Sequence, residues 1–325
     1  MGNIPGIDLD FEKRALELFK FQAKENSFYQ SFLEIIKADL SKIDSISQIP
    51  FLPIEFFKHH IIKTGDWHEE KVFISSGTTQ MNRSSHYVKY EQRYLANAVS
   101  GFQQRFGNVV DWIIIAYLPG YTENPSSSLI SMINELIKLS NNELSGFVEF
   151  DGSKLINKLN EVYPTSKKVM LVGVAFALAD FADDFQIDFP DLTILETGGM
   201  KGRQRDFGRM ELHTSLSRAF KTNKIHSEYG MTELFSQAYT IGEDGLFVGI
   251  SNLKVIIKDI NDPMELRKPG RIGVINIIDL ANVDTCAFIA TQDLGLSYPD
   301  GSFDVIGRLD SADLRGCNLL YFPMG

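Results

Sequence analysis

The sequence contains few cysteines and has no excess of positively charged residues. Cys286 and Cys317 are its only cysteines in 325 residues. Two cysteines are too few for a disulfide framework, so they indicate a reducing compartment. Lys and Arg number 32 against 42 Asp and Glu, which gives a formal net charge of −10. This acidic balance argues against a nucleic-acid partner, because nucleic-acid binding requires a basic surface.

Long hydrophobic runs and targeting signals are also lacking. The longest apolar run, residues 169–179, stops at Asp180 and is too short to cross a bilayer. The amino terminus lacks a basic start followed by an apolar core, and Gly6 stands where a lipidation signal needs Ser or Thr. We therefore expect a cytoplasmic protein without stable membrane insertion.

Hydrophobic periodicity predicts an α/β fold. Residues 7–40 have apolar positions at helical spacing, and residues 49–57, with two prolines, are expected to be extended. From residue 111 onward, apolar runs at 112–118, 169–174, 192–195 and 224–226 alternate with helix-length stretches at 129–139, 154–162, 175–185 and 210–220. This alternation predicts a mainly parallel sheet covered by helices. After Gly245, strands at 253–259, 273–279 and 302–306 predict a β-rich lobe.

A cluster of hydroxyls follows the apolar residues 72–74. The cluster consists of Ser75, Ser76, Gly77, Thr78 and Thr79. Side-chain hydroxyls and the backbone N–H groups that glycine leaves unshielded suit phosphate oxygens. The spacing is not that of a Walker loop, and taken alone such a cluster is more often a simple turn.

Two later segments strengthen the nucleotide interpretation. In the stretch HSEYGMTE, Tyr229 can stack on a base, Thr232 can donate to phosphate and Glu233 can bind a hard cation. Further on, Asp293 is followed fifteen positions later by Arg308. The Asp offers an acceptor for ribose hydroxyls, and the Arg places a cation nearby.

In order, SSGTT, YGMTE and TQDLG…DGSFDVIGRLD resemble the adenylate-forming superfamily of acyl-CoA synthetases, luciferases and peptide-synthetase adenylation domains. The resemblance spans about residues 72–316. It implies an α/β large domain that uses ATP and Mg²⁺ to convert a carboxylic acid into an acyl-adenylate and pyrophosphate. It also implies that Ser75–Thr79 form the phosphate loop.

The remaining site residues are carried over from the same resemblance. Gly198 and Gly199 match the turn that lies against adenine, and Tyr229 with Gly230 and Met231 matches the adenine-stacking segment. The other matches are Thr232 as a phosphate contact, Glu233 as the magnesium ligand, Asp293 as the ribose-binding residue and Arg308 as the Arg after the later glycine.

The sequence departs from the superfamily pattern in two places. Gln80 and Arg83 stand where the phosphate loop usually continues with Gly and then Pro-Lys, and Arg83 can still neutralise phosphate charge. The superfamily normally adds a small carboxyl-terminal domain with a catalytic lysine, and we expect that domain to be absent here. The four lysines at 221, 224, 254 and 258 match nothing, so the usual lysine is missing or supplied differently.

The ending RGCNLL resembles the acyl-protein synthetases of bacterial bioluminescence operons, also called long-chain-fatty-acid–protein ligases. That family carries the acyl group as a thioester on a cysteine near the carboxyl terminus, which matches Cys317, eight residues from the end. The resemblance therefore implies Cys317 as the acyl acceptor, Thr232 as a catalytic phosphate contact and an acyl-CoA reductase as partner. His86 is a further catalytic candidate, because it lies just past the loop and can reach phosphate or carboxylate. The residues alone favour a different interpretation, in which Cys317 is a buried apolar side chain beside Leu319 and Leu320. Cys286 is expected mid-strand in the core.

These observations predict three regions: residues 1–64 as an amino-terminal helical region, 65–316 as the ATP-binding adenylate-forming domain, and 317–325 as a tail bearing Cys317. The expected function is activation of a fatty acid to acyl-AMP and its transfer to a protein cysteine. Two alternatives stay open: an acyl- or aryl-CoA ligase resembling phenylacetate–CoA ligases, and a non-catalytic nucleotide-binding relic.

Overall fold

The computed structural model describes residue 4 and residues 6–76, 83–120, 124–198, 208–241 and 245–309. The α-helices are α1 (Leu9–Glu25), α2 (Ser27–Ile35), α3 (Glu91–Phe106), α4 (Ser128–Ser140), α5 (Gly152–Val162), α6 (Ala175–Asp184) and α7 (Arg209–Phe220). The strands are β1 (Leu52–Pro53), β2 (Lys71–Ile74), β3 (Ser85–Val88), β4 (Trp112–Tyr117), β5 (Gly146–Phe147), β6 (Lys168–Val174), β7 (Thr193–Thr197), β8 (Ile225–Tyr229), β9 (Ala238–Ile241), β10 (Leu246–Gly249), β11 (Leu253–Lys258), β12 (Gly273–Asp279), β13 (Phe288–Ser297) and β14 (Phe303–Arg308).

The chain folds into two compact units. The split unit combines Met1–Asp66 with Asn252–Gly325, and the central unit is Trp67–Ser251. Each unit is described by itself below. The division into regions 1–64, 65–316 and 317–325 stays a prediction.

The central unit is built on a sheet in the order β10-β9-β8-β7-β6-β4-β5. The pairs β4–β5, β4–β6, β6–β7 and β7–β8 are parallel, whereas β9 and β10 extend the sheet in antiparallel fashion. Every residue of β4 is buried. A strand that is buried on both faces needs a continuous apolar sequence, which explains the uninterrupted runs seen in the sequence.

Helices cover both faces of this sheet. On one face α5, α6 and α7 contribute Leu155, Leu178 and Leu216 to a buried core that includes Ile113 and Ile194 of the strands. Helix α3 covers the other face and has no counterpart among the predicted helices, although its buried side chains recur every fourth residue. These side chains are Tyr94, Ala98, Phe102 and Phe106. The predicted α/β fold with a mainly parallel, helix-covered sheet is confirmed.

The split unit contains the predicted β-rich part. Strands β11, β12, β13 and β14 form an antiparallel series, and β1 pairs with β13 in parallel. Helix α1 is fastened to the turn before β13 by buried amides. Gln22 Nε2 donates to the Asn282 carbonyl at 2.9 Å, and Ala287 N donates back to Gln22 Oε1 at 2.9 Å. Asn26 Nδ2 donates to the Thr285 carbonyl at 2.8 Å.

Two local predictions differ from the structure. Residues 49–57 are extended only at β1, and a 3-10 helix, Ile54–Lys58, follows. Pro53 is the N-cap residue of this helix, and its ring fixes a φ angle that is compatible with a helix start. Cys286 lies two residues before β13 rather than mid-strand, since Asn282 Nδ2 donates to its carbonyl and holds a turn there. Its burial in the core is as predicted.

Within the described ranges, every helix is too short or too polar to cross a lipid bilayer.

Candidate nucleotide site

The loop proposed to bind phosphate connects the two strands of a hairpin, β2 and β3. Two hydrogen bonds close its base: Ser75 N donates to the Ser84 carbonyl at 3.0 Å, and Ser84 N donates to Ser75 Oγ at 2.8 Å. Ser76 is exposed, and Ser75 and Arg83 are half-buried. Gly77, Thr78 and Thr79 lie outside the described residues, so their role stays a prediction.

His86 joins this hairpin to the second proposed nucleotide segment. It lies on β3 with its ring fully buried, and its Nδ1 is 2.8 Å from the carbonyl oxygen of Thr232, 146 positions away in sequence. Because a carbonyl only accepts, Nδ1 is the donor, which leaves Nε2 unprotonated in the neutral ring. The ring also lies 5.2 Å from that of Phe235. Two segments far apart in sequence therefore meet at one buried histidine.

The Tyr-Gly-Met-Thr-Glu segment begins at the carboxyl end of β8, as its sequence indicates. Tyr229 is the last residue of the strand and half-buried, with its ring 5.8 Å from that of Phe247. Gly230 is exposed, Met231 and Thr232 are half-buried, and Glu233 is buried. The segment thus offers an aromatic ring, a hydroxyl and a carboxylate in five consecutive positions.

Gly198 begins the turn after β7, the strand next to β8. Its φ of +70° is a left-handed conformation that favours glycine, and among the described residues no atom lies within 4 Å of the position that a Cβ would take. The backbone conformation therefore accounts for a glycine at this position. Gly199 lies outside the described residues. Because β7 and β8 are parallel, Gly198 and the Tyr229 segment leave the sheet at the same edge, which is where open α/β sheets bind ligands.

Side chains at the ends of β7 and β8 alternate between two faces. We call the side toward α3 the α3 face, with Leu195, Thr197, His226 and Glu228, and the side toward α7 the α7 face, with Ile194, Glu196 and Ser227. The register pairs Thr197 with Glu228 and Glu196 with Ser227.

The α3 face carries a buried hydroxyl–acid pair that the sequence analysis passed over. The Thr197 hydroxyl donates to Glu228 Oε2. Burial raises the pKa of Glu228 to about 7, with the hydrogen bond from Thr197 opposing that rise and the nearby Glu196 adding to it. The sequence feature that could have indicated Glu228 was its position directly before the Tyr-Gly-Met-Thr-Glu segment.

His226 is also on the α3 face, where its contacts are with helix α3. Arg105 Nη2 donates to His226 Nδ1 at 3.3 Å, and the Phe106 ring lies 5.5 Å from the imidazole. Burial, together with the Arg105 charge, lowers the pKa of His226 to about 4. The side chain is therefore neutral at physiological pH and packs against α3.

On the α7 face, the acid is paired with a histidine. His213 Nε2 of α7 lies 3.0 Å from Ser227 Oγ and 3.6 Å from Glu196 Oε1. These contacts attach α7 to the two strands.

In the split unit, Asp293 and Arg308 are directly opposite each other on β13 and β14. Asp293 N donates to Thr291 Oγ1 at 3.0 Å, and Arg308 Nη2 donates to Gln292 Oε1 at 3.2 Å. The antiparallel pairing thus brings together the Asp and Arg that are fifteen positions apart. Their approach to the Tyr229 segment stays a prediction.

Among the residues that the structure describes, no three His, Cys, Asp or Glu side chains cluster as a metal site. Glu233 contributes one buried carboxylate. Such a donor suits Mg²⁺, which is commonly held by one or two carboxylates together with substrate phosphates. Cys317 lies outside the described residues.

Comparison with known proteins gives the family. The model of the family described as "Acyl-protein synthetase, LuxE" matches residues 9–321. The chain is similar to the long-chain-fatty-acid–luciferin-component ligase of Aliivibrio fischeri, with 24% identity over 340 residues that cover 95% of this chain and 86% of the relative.

Solved structures show the same fold at low identity. One is 2-hydroxyisobutyryl-CoA ligase in complex with 2-HIB-AMP and CoA, with a TM-score of 0.66, 14% identity, and coverage of 93% of this chain and 69% of the other. Another is ATP-bound MatB from Rhodopseudomonas palustris, with a TM-score of 0.54 and 16% identity over 73% of this chain. The match spans about half, 47%, of the MatB chain.

The family match covers nearly all of the described residues, so the resemblance read from the three motifs is confirmed, as is the assignment to acyl-adenylate-forming ligases. The chain belongs to the acyl-protein synthetase family LuxE.

Proposed function

We propose that the protein activates a fatty acid with ATP and Mg²⁺ to acyl-AMP and then carries the acyl group as a thioester on Cys317. The long-chain-fatty-acid–luciferin-component ligase of Aliivibrio fischeri supports a fatty acid as the substrate. The family resemblance supports an acyl-CoA reductase as the next acceptor. The low cysteine content supports a cytoplasmic location.

The observation that carries the adenylation proposal is the 2.8 Å contact between His86 Nδ1 and the Thr232 carbonyl. It joins the hairpin that bears Ser75–Thr79 to the segment that bears Tyr229 and Glu233. Together, a loop of phosphate donors and a segment offering an aromatic ring and a carboxylate supply the groups that a single metal-bound nucleotide needs.

The described residues fit ATP and Mg²⁺. Gly198 has open space where a side chain would be, which suits a flat base, and Tyr229 supplies a half-buried ring for stacking. Glu233 would hold the metal, and Mg²⁺ supplies charge neutralisation of the phosphates when bound.

In the first step, a carboxylate oxygen of the fatty acid attacks the α-phosphorus of ATP. The new oxygen–phosphorus bond forms as the bond to pyrophosphate breaks, so no proton is needed. Donors of the Ser75–Thr79 loop, the Thr232 hydroxyl and the Arg83 guanidinium would stabilise the charge that develops on the leaving pyrophosphate. The buried His86 keeps Thr232 in position.

In the second step, the Cys317 thiolate attacks the acyl carbonyl carbon. The carbon–sulfur bond forms, the carbon–oxygen bond to AMP breaks, and the thiol proton has already passed to solvent. An acyl-adenylate is a mixed anhydride that a thiolate attacks readily, and Arg315, two residues away in sequence, would favour the thiolate.

The first test is pyrophosphate exchange screened against carboxylic acids of graded length. Labelled fatty acid plus ATP should then leave label on the protein that hydroxylamine removes. Cys317→Ser should retain exchange and lose the label, whereas the matched control Cys286→Ala, in the buried core, should retain both. Label that persists in Cys317→Ser would exclude that residue as the carrier.

The same reactions separate the alternatives. Acyl-CoA found by mass spectrometry only when CoA is added would indicate a CoA ligase. ATP binding by calorimetry with no exchange over the whole panel of acids would indicate a non-catalytic relic.

A further inference from the structure

The Glu228 carboxyl occupies a position between the two proposed nucleotide-binding turns. On one side, its Oε2 accepts a hydrogen bond from Thr197, the last residue of β7 and the neighbour of Gly198. The side chain is buried, so the bond is made away from solvent. A buried hydrogen bond of this kind resists separation of the groups it joins.

On the other side, the same carboxyl lies against the segment after β8. A Cβ at Gly230 would collide with Glu228 Oε1, so the carboxyl oxygen lies beside the Gly230 backbone, where a side chain would otherwise be. One carboxyl therefore bonds the last residue before the Gly198 turn and lies beside the first residue of the loop that carries Thr232 and Glu233. Neither turn can shift toward or away from the other without disturbing it.

We propose that Glu228 is a positioning residue for nucleotide binding, which holds the Gly198 turn and the Gly230–Glu233 loop at a fixed separation. This inference rests on the proposed function, because it assumes that ATP binds between these turns. Glu228 does not itself act on the reacting atoms.

The surroundings of Glu228 make this bridge sensitive to charge. The titratable groups near it among the described residues are Tyr94 of α3, Tyr239 of β9 and, on the opposite face of the sheet, Glu196 of β7. The Tyr94 hydroxyl donates to the Ser128 carbonyl at 2.8 Å, and Thr197 donates to Glu228. Burial raises the pKa of Glu228 to about 7. The carboxyl is therefore neutral below that pH and adds a buried negative charge above it, beside the loop whose Thr232 is proposed to contact phosphate.

Calorimetric titration of ATP and Mg²⁺ at pH 6 and pH 8 tests the proposal on the full-length chain. Glu228→Leu should weaken ATP binding roughly tenfold at pH 6, because it removes a buried hydrogen bond. Glu228→Gln preserves the bridge and should bind within about twofold of the wild type at pH 6.

The pH dependence distinguishes positioning from a merely structural role. Wild-type affinity should fall roughly threefold more than that of Glu228→Gln between pH 6 and pH 8, because only the carboxyl can ionise. If Glu228→Leu does not fold, Thr197→Val replaces it, with Thr197→Ser as the variant that retains the hydroxyl.

Equal ATP affinity in wild type, Glu228→Gln and Glu228→Leu at both pH values would overturn the proposal. So would a Glu228→Gln variant as impaired as Glu228→Leu at pH 6. Wild-type protein that binds no ATP at all would instead be the failure of the proposed function, and it would be seen before any variant is made.

Discussion

The two faces at the end of the β7–β8 pair carry the same acidic residue type in different surroundings. On the α3 face, Glu228 accepts from a threonine hydroxyl and lies against the Gly230 backbone. On the α7 face, Glu196 lies 3.6 Å from the imidazole of His213. One acid faces the proposed nucleotide turns, and the other attaches a helix to its strands. Neighbouring positions on paired strands can thus serve binding and stability separately, because side-chain direction alternates.

The largest expected effect concerns stability on the α3 face as pH changes. The Glu228 pKa rises from 4.5 to about 7, so the folded state keeps its proton after the unfolded state has lost it. The free energy of unfolding should therefore fall as pH rises from 4.5 to 7, by about 3 kcal/mol from this group. Glu228→Gln should remove that decrease in urea unfolding measured across the window.

His226 provides a test of opposite sign on the same face. Its pKa falls from 6.5 to about 4, so its contribution to the free energy of unfolding is complete above pH 6.5 and is lost as pH falls toward 4. His226→Gln, which retains an acceptor for Arg105, should lessen the acid loss by roughly 2 kcal/mol, allowing for its partial exposure. Identical pH slopes in wild type and both variants would contradict the environments described here.

The next effect comes from His86, whose imidazole contacts Phe235 beside α3. His86→Phe removes the buried donor to the Thr232 carbonyl and should lower the free energy of unfolding by roughly 1–3 kcal/mol. His86→Asn is the matched variant, because its amide can still donate, and it should lose less. ATP affinity should follow the same order, and equal losses in the two variants would argue against the Nδ1 hydrogen bond.

At the end of β8, Gly230→Ala should weaken ATP binding by roughly tenfold, because the new Cβ collides with the Glu228 carboxyl and displaces the loop. Gly146→Ala is the control, since a Cβ there meets no atom within 4 Å. The double variant Glu228→Ala with Gly230→Ala should lose less affinity than the sum of the two single losses, and simple additivity would show that the two residues do not interact.

The smallest effect is expected on the α7 face. Ser227→Ala removes the 3.0 Å hydrogen bond to His213 and should lower the free energy of unfolding by about 1 kcal/mol. ATP affinity should stay within about twofold of the wild type. A larger loss of affinity here than at Glu228 would reverse the assignment of the two faces.

What could be predicted from the sequence depended on how far apart the interacting residues are. Continuous apolar runs located the buried strands, and fifteen-residue spacing sufficed for Asp293 and Arg308, because one antiparallel turn brings them opposite each other. The contact between His86 and Thr232 joins positions 146 apart, and sequence patterns contain no information about such a meeting. Residue chemistry alone suggested that both lie near the site.

Burial accounts for the other differences. The sequence shows that Glu228 precedes Tyr229, but its raised pKa depends on the removal of solvent by α3 and β9, which only the fold specifies. Helix α3 could have been predicted from the sequence, because its apolar residues recur every fourth position, at Tyr94, Ala98, Phe102 and Phe106. The position of Cys286 before β13 could not be predicted in this way, because it depends on the side-chain hydrogen bond from Asn282 to the Cys286 carbonyl.

The hydrogen bonds of the Gln22 side-chain amide in α1 have a consequence for biosynthesis. Their partners at Asn282 and Ala287 are encoded some 260 positions later. At a synthesis rate of about 5–20 residues per second, these carbonyl and amide groups are made tens of seconds after helix α1. The contiguous central unit can fold while it emerges from the ribosome, whereas the split unit is completed only after Ala287 has been synthesised. Until then, nascent α1 lacks Phe288, whose ring packs edge to face against Phe19 in the folded split unit.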